Sequence, residues 1–370
     1  MARYLILLMD SLPPPFFRTL PSLPGDPAAR LFARTRELID LDSTTGRERQ
    51  VGELLCARLA EIQPAGELMK IAVDAERFNL FARWGTPQVV LSTHMDCVPP
   101  FVPSDETDNE IRGRGACDAK GILASMIGAI EKLLAEGRSG FGLLVVVAEE
   151  TDSVGADAAN RWVQASGLHP RFLINGEPTE NQLALGSKGT LFYNLEAGGR
   201  AAHSAYPELG ASAIDALLAA IERMRQVSLP SDPTLGETTI NVGKIEGGRA
   251  ANVIADRASA EILVRTVGPT DRLRQDLEAA FTEGGRVCIA RRSETPALRL
   301  GALPGFPSTV VKFTTDIPRL TAWGEPFLLG PGTIHVAHTA DERIAKADLV
   351  AAVELYRRLM KTLLDRAPNS

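Results

Sequence analysis

Cysteine is scarce in this chain: four residues in 370, Cys56, Cys97, Cys117 and Cys288, with no CxxC pair among them. That excludes a zinc ribbon or a dithiol redox motif, and an even count in so long a chain does not establish a disulfide framework. Free thiols in a reducing cytosol are the expected state, so the chain is read as cytoplasmic. Histidine is nearly as scarce, with five copies, so a site that needs imidazole has few candidates. Basic charge is in deficit: 40 Lys and Arg against 46 Asp and Glu give a net charge of -6. A nucleic-acid binder would show a basic face, and no nucleic-acid partner is expected. The opening "MARYLILLMD" places an apolar run after a basic residue, as a signal peptide does. Asp10 and Pro13-Pro14-Pro15 interrupt it, no small-residue cleavage site follows clearly, and it is too short to span a bilayer. It reads as an N-terminal extension, and no membrane partner is expected. There is no GxSxG nucleophile elbow, and "GRGACDAKG" lacks both the third glycine of GxGxxG and the GK[ST] ending of a P-loop. Serine-hydrolase and phosphate-loop chemistry therefore have no motif behind them.

What is present is an ordinary globular composition, 45% hydrophobic and 23% charged, in a length suited to two domains. "QVVLST", "FGLLVVVAEE" and "RFLINGEP" read as continuous apolar strands, separated by helical stretches such as "KGILASMIGAIEKLLAEG". That alternation implies an α/β fold with a mostly parallel sheet covered on both faces. From Gly189 the texture changes to βαββαβ, the order of a ferredoxin-like α+β unit. The α/β pattern resumes at "FLLGPG" and closes on the helix "KADLVAAVELYRRLMKTLL". The expected organisation is an extension over 1–29, a catalytic domain over 30–188 and 304–370, and a smaller domain inserted at 189–303.

In an open α/β sheet, function gathers beyond the carboxyl ends of the strands. The first apolar strand delivers His94 and Asp96, the next Glu149 and Glu150, the next Glu177, while Asp118 precedes a helix. Each alone is more often a surface hydrogen bond, a solvated loop or a helix cap. Together on one rim they would repel one another unless cations neutralised them. Imidazole with carboxylates suits zinc, or cobalt or manganese in its place. One carboxylate can bridge two such ions and leave a shared acidified water. A second histidine for the second ion would come from His335 or His338, between which spacing does not choose.

Six ordered stretches resemble one family. "HMDCVP", "GRGACDAKG", "AEETDSVGA", "NGEPT", "GGRAAHSAYPELGASAI" and "GPGTIHVAHTADE" are similar to the motifs of the dinuclear-zinc amidohydrolases, which include acetylornithine deacetylase, succinyl-diaminopimelate desuccinylase, aminoacylases and glutamate carboxypeptidases. The likeness runs from about Asp42 to the C-terminal helix. It implies two divalent ions, with His94, Asp118 and Glu177 at one, Glu150 and His338 at the other, and Asp118 bridging. It implies that Asp96 hydrogen-bonds the other nitrogen of His94 and fixes its tautomer. Glu149 would be the general base, and His203 would stabilise the oxyanion, reaching across a homodimer formed by the inserted domain. Asn252 and Arg265 would hold a substrate carboxylate. The leading expectation is hydrolysis of an N-acyl amino acid, a small molecule; a dipeptidase or carboxypeptidase with the same centre is the alternative.

Overall fold

The computed structural model describes residues 20–366, so most of the N-terminal extension lies outside the described residues. The chain divides into two compact units. The smaller comprises Leu185–Arg299 and Val310–Thr314, and the larger is built from the sequence on either side.

The larger unit is organised by a six-stranded sheet, in the order Glu67–Ala72, Phe78–Trp84, Phe141–Val146, Val89–His94, Phe172–Asn175, Glu325–Leu328. The last four run parallel to one another. Every residue of Val89–His94 and Phe141–Val146 is buried, as expected of strands covered on both faces. Lys120–Ala135 packs on the sheet as an apolar helix, and the closing helix Lys346–Leu364 buries Leu349, Val353, Tyr356, Leu359 and Leu363. The first helix, Pro27–Ile39, begins where its sequence directs. Asp26 caps it by accepting from the Ala29 amide at 2.8 Å, and proline occupies the first turn, where its missing N–H costs nothing.

The other two strands were not resolved in the sequence pattern. Glu67–Ala72 and Phe78–Trp84 form an antiparallel hairpin on one edge of the sheet, so the sheet is mixed. Their charged residues reach solvent and pair there, as Arg83 does with Glu67 at 2.6 Å, which dilutes the apolar signal.

The smaller unit has a four-stranded antiparallel sheet in the order Thr239–Gly247, Arg257–Thr266, Gly189–Gly198, Val287–Thr295. Helices Ala213–Arg225 and Asp271–Thr282 cover one face, closing a separate core around Tyr193, Leu217, Ile262, Leu277 and Phe281. Alternate residues of Arg257–Thr266 are buried and the rest face away from the helices. No described helix is long and apolar enough to cross a membrane.

Candidate metal centre

Four neighbouring parallel strands end on one rim of the large sheet. His94 is the last residue of its strand. Glu149 and Glu150 follow the strand ending at Val146, Glu177 follows the one ending at Asn175, and His338 follows the one ending at Leu328. Asp118 arrives from the turn before helix Lys120–Ala135. That turn depends on Gly115, whose φ is +89°; a Cβ there would lie 2.8 Å from Cys97 Sγ and from Lys120 Cδ.

Asp118 presents one oxygen to each histidine. Oδ1 lies 3.0 Å from His94 Nε2 and Oδ2 lies 3.4 Å from His338 Nε2. His338 Nε2 also lies 3.0 Å from Glu150 Oε2. Donor atoms of His94, Asp118 and Glu150 all fall within 4.8 Å of one another, close enough to hold a metal ion. Glu177 is not in that trio. Its carboxylate is buried nearby, and its Oε1 has no hydrogen-bond partner among the described residues. An orphaned buried carboxylate oxygen is costly, and a cation would satisfy it. The donor set of imidazole and carboxylate thus fits divalent ions of the zinc type. His338 adopts φ +63°, strained for a residue with a side chain, and this conformation accompanies the aim of its ring at Asp118 and Glu150. His335 has no ion pair or hydrogen bond to any of these residues among those described.

The electrostatics follow from that crowding. Burial would raise Asp118, but hydrogen bonds from His338 and His94 outweigh it and hold the acid below the usual range. The Asp118 and Glu150 carboxylates lift His338 to about 10. Glu149 and Glu177 are pushed well above ordinary carboxyl values, first by burial and then by acidic neighbours, Glu177 for Glu149 and Asp118 for Glu177.

Asp96 stands at the other nitrogen of His94 and meets it with two groups. His94 Nδ1 meets the main-chain carbonyl of Asp96 at 3.0 Å, while the carboxylate oxygen Oδ1 stands at 3.6 Å. The carboxylate is taken by other donors: the Glu149 amide at 3.1 Å, the Glu150 amide at 3.2 Å and the Thr45 hydroxyl at 2.8 Å. Asp96 therefore holds His94 through its carbonyl and, at longer range, its carboxylate, and holds the two-glutamate loop through that same carboxylate.

Sequence reasoning passed over Glu342. Its Oε1 accepts from the amides of Gly115, Cys117 and Asp118 at 3.0, 3.3 and 3.2 Å, and its Oε2 accepts from Arg114 at 2.7 Å. This one buried acid welds the Asp118 turn to the segment carrying His338. The signal available in the sequence was the acidic pair Asp341-Glu342 just past His338. Asp316 was missed as well; it is buried in the same unit and raised by that burial to about 6.

The residues assigned to substrate lie in the smaller unit. His203 is exposed, its Nδ1 accepting from the Ala205 amide at 3.1 Å, and its backbone bridges to Val253. Asn252 is exposed, and its carbonyl accepts from the Ser204 amide at 3.0 Å. His203 and Asn252 thus share one local loop pair. Arg265 is half-buried in the strand Arg257–Thr266, opposite Thr190 and Thr239, and burial lowers its guanidinium.

Comparison with known proteins places this rim in a family. Residues 90–362 match the pattern of the peptidase family M20/M25/M40. A probable carboxypeptidase of Aspergillus fumigatus is 36% identical over 92% of this chain and 88% of its own. The chain belongs to the M20/M25/M40 peptidase family. It is accordingly a metal-dependent hydrolase of peptide or amide bonds. A tripeptidase from Staphylococcus aureus shares the fold at 21% identity and TM-score 0.78, over 92% of this chain and 99% of that one. A dinuclear metal-binding M20 peptidase of Bacillus subtilis does so at 15% identity and TM-score 0.65, over 92% and 99%.

Proposed function

We propose that this M20 hydrolase is a metallocarboxypeptidase that removes the C-terminal residue from small peptides. The observation that carries the reading is the relationship to the Aspergillus fumigatus chain, matched along nearly its whole length and described as a probable carboxypeptidase. This shifts weight from the N-acyl amino-acid deacylase favoured by motif alone to the peptidase alternative. The motifs are shared by both activities, and the Aspergillus relatives are described on the peptidase side.

In this reading His94, Asp118 and Glu177 would hold one divalent ion, and Glu150 and His338, with Asp118 also in reach, the other. When bound, the ions would supply Lewis acidity to the scissile carbonyl and lower the pKa of the attacking water. Glu149 takes a proton from the attacking water on its carboxylate and passes it to the leaving amine nitrogen. Its burial beside Glu177 raises its proton affinity, which suits a base that must also act as an acid. Asp96 keeps the Glu149 and Glu150 amides in place, so base and ligand are oriented together. His203 is assigned to the oxyanion, and Asn252 and Arg265 to the free carboxylate of the peptide. Pairing of two copies through the inserted unit belongs to the same reading, and light scattering tests it.

The deciding experiment supplies zinc or cobalt and compares N-blocked dipeptides, their C-terminal amides, free dipeptides and N-acetyl amino acids. Release of the last residue from the blocked dipeptides, lost on amidation, is expected. Preferential turnover of the acetyl amino acids would return the assignment to deacylation. Glu149→Ala should lower kcat by about 10²–10⁴ while metal content is unchanged; a rate equal to that of the unaltered enzyme would remove Glu149 from the role of base.

A further inference from the structure

The smaller unit carries a cavity of about 1180 Å3 with no role in the hydrolytic reading, formed entirely from its own residues. Strand register shows how it is built. Gly198 pairs with Arg257 on one neighbouring strand, and its amide donates to the Arg286 carbonyl at the start of the other. Residues level with one another across a sheet face the same side, so Arg257, Gly198 and Arg286 form one row. Ala197, Ala258 and Val287, one step along each strand, are buried against the helices, so the row faces away from them. The arginine backbones lie two strand spacings apart, ~10 Å. The residue between them has no side chain, and a Cβ built on Gly198 would meet nothing within 4 Å. The result is a slot with a guanidinium on each flank and an open floor. Arg200 lines the same cavity.

The charges here are uncommitted. Among the described residues, no ion pair or side-chain hydrogen bond engages Arg200, Arg257 or Arg286. Three acids line the cavity too, but Glu246 is paired with Lys244 at 3.1 Å and Asp256 with Arg249 at 3.3 Å. Only Glu196 is left to oppose three guanidiniums, which leaves two positive charges unanswered. A phosphate monoester carries about -1.5 to -2 charge near neutral pH and three strong acceptor oxygens. Guanidinium forks match those oxygens bidentately.

We propose that the slot formed by Arg257, Gly198 and Arg286, with Arg200 beside it, binds a small phosphate monoester. The phosphate sits over Gly198 between the two flanking guanidiniums, and the rest of the cavity takes the body of the molecule. The site is independent of the peptide-bond chemistry and would stand if the carboxypeptidase assignment fell.

Titration calorimetry on the metal-loaded enzyme tests this with glycerol phosphate, inorganic phosphate and succinate. Glycerol phosphate is expected to bind at least as tightly as inorganic phosphate, and at least ten-fold more tightly than succinate. R257Q/R286Q should lose at least ten-fold in affinity for the phosphates while hydrolysing substrate at the unaltered rate. Gly198→Val keeps every charge and fits a strand, yet its side chain fills the floor; it too should weaken binding about ten-fold. Phosphate binding undiminished in R257Q/R286Q would assign the anion to another place, the metal centre included, and overturn the proposal. Undiminished binding in Gly198→Val, equal binding of succinate, or inorganic phosphate binding with the ester excluded would each overturn it as well.

Discussion

At the scale of single residues, the centre is governed as much by acids that need not touch a metal as by those that would. Glu342 gathers three amides and an arginine onto one carboxylate, and so anchors the Asp118 turn. Glu342→Gln keeps the shape but weakens the charge-assisted bonds. It should cost about 10–100-fold in metal affinity, read by competition with a chelator. Asp316 offers a prediction in pH. Burial raises it to about 6 from an ordinary 3.8, so the folded chain binds this proton more tightly than the unfolded one. Its contribution is therefore fully present below about pH 4 and is lost as pH rises through about 6, by about 3 kcal/mol at most. Asp316→Asn should flatten the denaturation midpoint of the metal-stripped protein across that window. The histidines and acids of the rim were legible because side-chain identity and position after apolar strands are written in the sequence. Glu342 was not, because three of its four partners are main-chain amides more than 220 residues away, and an amide has no letter. Asp96 was legible as the neighbour of His94, but its hold on the Glu149 and Glu150 amides was not, since amides leave no mark in a sequence.

At the scale of elements, the parallel strands were readable from their unbroken apolar runs, and the edge hairpin was hidden by the charged residues Glu67, Lys70 and Arg83 that interrupt it. Beyond the strand ladder that joins the hairpin to Phe141–Val146, a further tie comes from Asn79, buried in the hairpin strand Phe78–Trp84. Its Nδ2 donates to the Gly155 carbonyl at 2.7 Å, and its Oδ1 accepts from the Val147 amide at 3.1 Å. One amide side chain thus fastens both ends of the segment bearing Glu149 and Glu150, the first helical turn of Val154–Ser166 included. Asn79→Ala would leave the buried Val147 amide unpaired, while the Gly155 carbonyl keeps its helical bond, a loss of about 1–3 kcal/mol. Chemical denaturation should show that loss, with lower kcat appearing before global unfolding as the glutamate loop loosens.

At the scale of the molecule, the chain carries separate cores in its two units. The βαββαβ order of the smaller one was legible because its two helices are amphipathic and Arg257–Thr266 alternates strictly, while the relation of its open face to any ligand was not, since that depends on register. Leu277→Ala, inside the smaller core, should cost about 2–5 kcal/mol there. Calorimetry should show the transition of that unit moving down while the metal-dependent transition holds its temperature. The rim of the larger sheet has a consequence of another kind. Its four carboxyl ends stand one strand spacing apart, ~4.8 Å, a pitch fixed by backbone hydrogen bonding and beyond the reach of side-chain substitution. Loops can lengthen and pockets can be recut, yet the gauge on which the donors are mounted does not change. Selection among substrates is thereby free to drift in everything but the dimensions of the bond that is cut, and a shift of substrate in this chain should be sought in its loops and its smaller unit, never in its strands.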